Sequence, residues 1–228
     1  MTGQHLIVDA DDTLWENNIY FERAFDEFID FLAHSSLPSA DVHAVLTEIE
    51  DANARIHGYG SQSFGRNLQQ CYERLAERAI DDRDLTTITS FAERTLGRPI
   101  DVIDGVRETL EDLSRRHELT LFTKGHPDEQ TLKIDRSGLR PFFAYTAVVH
   151  EKDADAYARL VQDRSLTPGR TWMIGNSPKS DINPALAAGL NAVFVPHAHT
   201  WVLEKQDIRP GRGRLLVLER FADLRKHF

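Results

Sequence analysis

Four short stretches of this sequence carry residues whose types and spacing suit phosphoryl chemistry. The first holds Asp9, Asp11, Asp12 and Thr13, and the second Thr123, Lys124 and Gly125. The third holds Glu151 and Lys152, and the fourth Gly175, Asn176, Ser177 and, a little further on, Asp181. Two carboxylates separated by one residue can divide nucleophilic from acid–base work. A hydroxyl and backbone N–H groups can hold phosphoryl oxygens, and a lysine can neutralise them. Carboxylate and carbonyl oxygens suit a hard divalent cation such as Mg²⁺. Phosphate-monoester hydrolysis calls for this combination, because its transition state spreads negative charge over the equatorial oxygens and is met by positioning and electrostatics. A bare carboxylate would repel a phosphate dianion, and a bound cation removes that repulsion.

The elements that must position these residues follow from apolar periodicity. His5 to Asp9 reads as a buried strand ending in acid. From about Asn17 to Gly97 no strand is evident. Phe21, Phe25, Phe28 and Leu32 form a helical stripe, and Val42 to Ile56 a second helix. Phe64, Leu68, Cys71, Tyr72, Leu75 and Ala79 form a third, and Leu85 to Leu96 a fourth, closed by Gly97 and Pro99. After Pro99 strands and helices alternate. Strands are expected at Leu119–Thr123, Tyr145–Val149, Thr171–Ile174, Ala192–Val195 and Leu215–Leu218. Helices are expected at Val106–Arg116, Pro127–Arg136, Asp153–Gln162 and Ser180–Ala188, with another at the C-terminus. Repeated βα units imply a parallel sheet wrapped by helices, with ligands at the carboxyl ends of the strands. All four reactive stretches fall there. The expected organisation is a Rossmann-like α/β core domain from residues 1–16 and 100–228, with a helical domain inserted at 17–99.

VDADDTL (Val8 to Leu14), LFTKG (Leu121 to Gly125), EKD (Glu151 to Asp153) and MIGNSPKSD (Met173 to Asp181) resemble, in order, the four motifs of the haloacid dehalogenase superfamily. Any one alone is weak; four in sequence, each after an expected strand, are specific. The resemblance implies an enzyme of the phosphatase type, a phosphoric monoester hydrolase that works through an aspartyl-phosphate. Asp9 is then the nucleophile and a metal ligand. Asp11 is the acid/base, its backbone carbonyl a further ligand. Thr123 binds a phosphoryl oxygen, with the Lys124 and Gly125 amides nearby, and Lys152 neutralises nucleophile and phosphate. Asp181 anchors Mg²⁺. Asn176 departs from the family, which commonly has an acid there, and weaker metal affinity is expected.

The resemblance also implies that the helical insert is a C1-type cap, which makes Tyr59, Ser63 and Arg66 candidate substrate contacts. His197 and His199 form a HxH pair without a third ligand at a recognisable spacing, so a plain loop pair is expected. With 27 Lys+Arg against 36 Asp+Glu, the net charge of −9 argues against a nucleic-acid polymer as partner. No apolar run is long enough to span a membrane. The lone Cys71 excludes an internal disulfide, and no secretory leader is visible, so a cytoplasmic location and a small phosphorylated metabolite are expected. Three alternatives share the core: a 2-haloacid dehalogenase, a phosphomutase, and a binding or regulatory protein without turnover. The first needs neither metal nor leaving-group acid, and Asp11 argues against it.

Overall fold

The computed structural model describes residues 3–228. Six parallel strands form one sheet: β1 (His5–Val8), β2 (Glu118–Lys124), β3 (Tyr145–Val149), β4 (Thr171–Gly175), β5 (Asn191–Phe194) and β6 (Leu215–Val217). Their order is β3-β2-β1-β4-β5-β6. This is the expected Rossmann-like α/β fold. Strand addition reverses direction at β1, so the crevice at the ends of β1 and β4 is the place where such sheets bind ligands.

Alternation along the strands covers both faces. Leu6 and Val8 pack with Leu121, Ile174, Leu110 and Leu224 in one core cluster. Ile7 points the other way and joins Phe122, Met173, Tyr157 and Leu160 in another. Near-continuous apolar strands are what a sheet buried on both faces requires.

Contacts divide the chain into two units. One contains the residues up to Asn18 together with Ile100–Phe228, and the other is Ile19–Pro99. The second unit is built from α1 (Asn18–Leu32), α2 (Ser39–His57), α3 (Ser61–Leu75) and α4 (Asp82–Leu96). Phe25, Phe28, Leu46, Ile49, Leu68, Cys71 and Ile88 fill its core. Ala79 falls outside α3, which ends at Leu75. In the α/β unit, the outgoing and returning segments are tied to each other. Glu16 N–H donates to the Asp101 carbonyl at 2.9 Å and Ile103 N–H to the Leu14 carbonyl at 3.0 Å.

The α/β unit carries α5 (Val106–Ser114), α6 (Pro127–Ser137), α7 (Ala154–Asp163) and α8 (Asn183–Ala187). Two expected helices differ. The stretch from Ser180 opens as a π-helical turn over Pro178–Ile182 before the short α8. Pro184 has no N–H to give the Ser180 carbonyl, and the Tyr157 hydroxyl donates to that oxygen instead at 3.0 Å. The C-terminal segment, Phe221–Lys226, is 3₁₀. Among the described residues no helix is long and apolar enough to cross a membrane.

The start of α4 gives a direct test of the helical unit. The Asp81 carboxylate accepts from the Arg83 and Asp84 amides at 2.8 and 2.9 Å, and Asp84 reciprocates toward the Asp81 amide. Asp81→Ala is expected to lower stability by about 1 kcal/mol in urea denaturation, with Asp81→Asn losing less. Equal midpoints for wild type and Asp81→Ala would show that this cap contributes nothing.

Candidate active site

Asp9 follows β1 directly, and its amide donates to the Ile174 carbonyl at 2.9 Å, which continues the ladder and fixes the backbone. Its carboxylate is buried. One oxygen is ion-paired with Lys152, and the other accepts from the Thr13 hydroxyl at 2.9 Å. Lys152 also donates to Asp181 at 2.7 Å, so one buried ammonium joins two buried carboxylates. Burial disfavours the charged Lys152, but Asp181 and Asp9 more than offset it and hold its pKa above the ordinary value. Burial, then the charge of Asp9, push the Asp181 carboxyl up to about 7, against the pull of Lys152.

Asp181 is fully buried, and its second oxygen accepts the Ser177 amide at 3.0 Å. A glycine makes this possible. A Cβ on Gly175 would lie 2.2 Å from Asp181 Oδ2. Gly175 closes β4, and its lack of a side chain is what admits that carboxylate.

Asn176 presents its oxygen to the same place. The Thr200 hydroxyl donates to the His197 carbonyl at 3.0 Å, so it accepts from Asn176 Nδ2, also at 3.0 Å. That fixes the amide with Oδ1 toward Thr13, whose hydroxyl lies 3.3 Å away and also reaches Asp9. Asp9, Asn176 and Asp181 therefore supply hard oxygen donors in one buried cluster. Those donors, with the Asp11 carbonyl, fit a Mg²⁺ ion in kind.

Asp11 is held by residues that carry no motif. Trp15 Nε1 donates to Oδ1 at 2.7 Å, and Gln130 Nε2 to Oδ2 at 2.8 Å. Lys133 Nζ reaches both oxygens, at 2.7 and 2.6 Å. Thr123 at the end of β2 is buried and donates to Gln130 Oε1 at 3.4 Å. Gln130 and Lys133 lie one turn apart on α6, so their spacing was visible in the sequence, but no pattern linked them to Asp11.

The loop after β2 differs from expectation. The Gly125 amide donates to the Val149 carbonyl at 3.0 Å and so is not available to a phosphoryl group. Parallel strands turn alternate amides to opposite neighbours. Glu118 donates to Gln4 on the β1 side, so the even-numbered Lys124 amide is directed to the β1 side, away from Val149. The Lys124 ammonium is engaged by Glu204 at 2.5 Å and Ser180 at 2.9 Å. Burial works against the Glu204 carboxylate, but Lys124 and the Ser177 and Ser180 hydroxyls hold its pKa below the usual value.

Asp12 serves the chain's exit from the sheet. With φ of 59° it sits in the left-handed region, and its carboxylate accepts the Asn17 and Asn18 amides at 2.9 and 3.0 Å. Burial pushes it up to about 8; those amides pull it back, and Asp11 and Asp9 add to the rise. Asp12, Glu16 and His197 bring three potential ligand atoms within 4.8 Å of one another. His197 Nδ1 accepts the His199 amide at 3.3 Å, which leaves Nε2–H to face Glu16 at 3.2 Å. The His197 Nε2 hydrogen bond goes to Glu16 Oε1 at 3.3 Å and leaves Glu16 Oε2 buried without a hydrogen-bond partner among the described residues, and the HxH spacing concealed these acidic neighbours far away in sequence.

The remaining candidates lie in the helical unit. Ser63 is buried and its hydroxyl donates to the His57 carbonyl at 3.0 Å, closing the turn between α2 and α3. Tyr59 is half-buried between Gly58 and Gly60, both at positive φ, and Arg66 is exposed.

The family model for haloacid dehalogenase-like hydrolases matches residues 4–189. The chain is 29% identical to a haloacid dehalogenase-like family hydrolase from Xanthomonas campestris, covering 99% of this chain and 94% of that one, with a TM-score of 0.80. The fold is shared with a predicted phosphoglycolate phosphatase from Haemophilus somnus (16% identity, 100% and 98% covered, TM-score 0.65). It is shared equally with an L-2-haloacid dehalogenase from Xanthobacter autotrophicus (14% identity, 98% and 97% covered, TM-score 0.66). No curated protein matches.

Gly175→Ala is expected to cost on the order of 1–3 kcal/mol by driving Asp181 from its place. Gly169→Ala, with nothing within 4 Å of the added carbon, should fall within about 0.5 kcal/mol of wild type. Indistinguishable melting of the two variants would mean that Asp181 adjusts freely.

Proposed function

Since the chain belongs to the haloacid dehalogenase-like hydrolase family, we propose that it hydrolyses a small-molecule phosphate monoester in a Mg²⁺-dependent reaction through a phosphorylated Asp9. One observation carries the reading. A second carboxylate, Asp11, stands two residues beyond the buried Asp9 and is held by three donors of its own. Halide departure needs no proton donor, whereas departure of an alkoxide does.

In the proposed reaction the Asp9 oxygen attacks phosphorus, and the bond to the leaving oxygen breaks as Asp11 gives that oxygen a proton. Water then attacks the aspartyl-phosphate, Asp11 takes the water's proton, and Asp9 is released. Lys152 offsets the charge of Asp9 while the phosphoryl dianion approaches. The Lys124 amide, and the Thr123 hydroxyl on turning from Gln130 Oε1, are assigned to phosphoryl oxygens. Asp9, Asn176, Asp181 and the Asp11 carbonyl would hold Mg²⁺, which when bound supplies positive charge against the phosphoryl oxygens. Substrate choice is assigned to the helical unit, through Tyr59 and Arg66, as in the resembled caps.

Wild-type protein is expected to release phosphate from p-nitrophenyl phosphate only with Mg²⁺, and Asp9→Asn to fall to background. Chloride release from 2-chloropropionate without phosphate release would move the assignment to a dehalogenase. Neither product would leave a protein without turnover. Asn176→Asp should lower the Mg²⁺ concentration for half-maximal activity on the order of tenfold, since ligand charge tunes cation affinity. An unchanged or raised concentration would remove Asn176 from the metal site.

A further inference from the structure

We propose that Lys133 and Gln130 are positioning residues for Asp11, clamping its carboxylate from one face of α6 so that it meets the leaving oxygen. The proposal rests on the function assigned above and goes beyond its motifs. The two residues are three apart on α6 and therefore share a face. Lys133 contacts both carboxylate oxygens within 2.7 Å, and the pair is largely withdrawn from water, with 13% and 22% of the side chains exposed. Gln130 is buried and spans two site residues, since Nε2 donates to Asp11 and Oε1 accepts from Thr123. It lies close against Gly125, where a Cβ would be 2.9 Å from Gln130 Nε2. With Trp15 on the remaining side, these donors hold the ionised carboxylate and restrict its rotation, and one of them must yield its oxygen when Asp11 carries the proton.

A structural role competes with this one, because Lys133 Nζ also donates to Asn17 Oδ1 at 3.0 Å and could simply hold the chain where it leaves the sheet. The two roles differ in leaving-group dependence. A misplaced proton donor harms departure of a basic oxygen and spares departure of a weakly basic one, whereas a distorted site harms both.

The test is single-turnover release of phenolate from phenyl phosphate and of dinitrophenolate from dinitrophenyl phosphate, with Mg²⁺. Lys133→Met is expected to slow phenolate release on the order of 10- to 100-fold and dinitrophenolate release by less than about threefold, a share of what acid–base catalysis supplies. In an Asp11→Asn background the same substitution should add less than about threefold to either, because both changes remove one function. Gln130→Met, which removes no charge, should reproduce the pattern more weakly and serves if Lys133→Met does not fold. Equal slowing of both esters, or a further loss in the Asp11→Asn background, overturns the proposal in favour of the structural role. Absence of aryl oxide release from the wild type defeats the phosphatase reading, and this inference with it.

Discussion

The site depends on one buried ammonium. Lys152 links Asp9, which follows β1, to Asp181, which follows β4, and all three side chains are withdrawn from water. Without Lys152 two carboxylates would face each other in a medium that cannot solvate them, and removing one partner from such a pair typically costs about 3–5 kcal/mol. The lysine comes from beyond β3, which is separated from β1 by β2. Neighbouring strands stand about 4.8 Å apart, so the ammonium must cross an intervening strand. It does so above Phe122 of β2, with Nζ 5.8 Å from the ring centroid. Its backbone is held at both sides. The Lys152 amide donates to Glu151 at 3.0 Å, and Asp153 caps α7 by accepting the Ala156 amide at 2.7 Å. A long flexible cation on a fixed base spans that distance; a shorter side chain would not.

The same economy recurs around the strand ends. Lys133 is matched to Asp11, and Lys124 to Glu204 with Glu151 at 3.4 Å. Each lysine is committed to carboxylates supplied from a different part of the chain, so the loops are fastened to one another by charge as well as by the sheet. The Lys124 ammonium holds the segment of Glu204 against the turn of Ser177 and Ser180.

Much of the fold was legible because βα repetition writes itself into apolar runs and into polar residues that follow them. Asp9, Asp11, Thr123, Lys152, Asn176 and Asp181 stand out as candidates for the same reason: each comes at or shortly after the carboxyl end of a strand. What escaped detection lay outside that rule. Lys133 and Gln130 sit inside a helix, where a polar residue ordinarily faces solvent, and only the packing of α6 directs them to Asp11. The π turn before α8 required knowing that Tyr157, from another helix, would satisfy the Ser180 carbonyl. The loss of the Gly125 amide depended on the register of β2 against β3, which periodicity does not set. The contact of His197 with Asp12 and Glu16 joins residues more than 180 positions apart.

The neutral residue at 176 can be understood from this charge inventory. Asp12 and Asp181 already have pKa values raised to about 8 and about 7, chiefly by burial and in part by neighbouring carboxylates. A further acid at 176, facing the Thr13 hydroxyl that also reaches Asp9, would add like charge close to the carboxylates that Lys152 offsets. An amide supplies a hard oxygen without that repulsion. It also brings an N–H donor that uses Thr200, so its orientation is set by a hydroxyl whose own proton is fixed on the His197 carbonyl. An acid at 176 would instead accept from Thr200 and compete with that carbonyl for its proton. In the proposed metal site the chain would thus exchange cation affinity for an amide that is preorganised before any ligand binds.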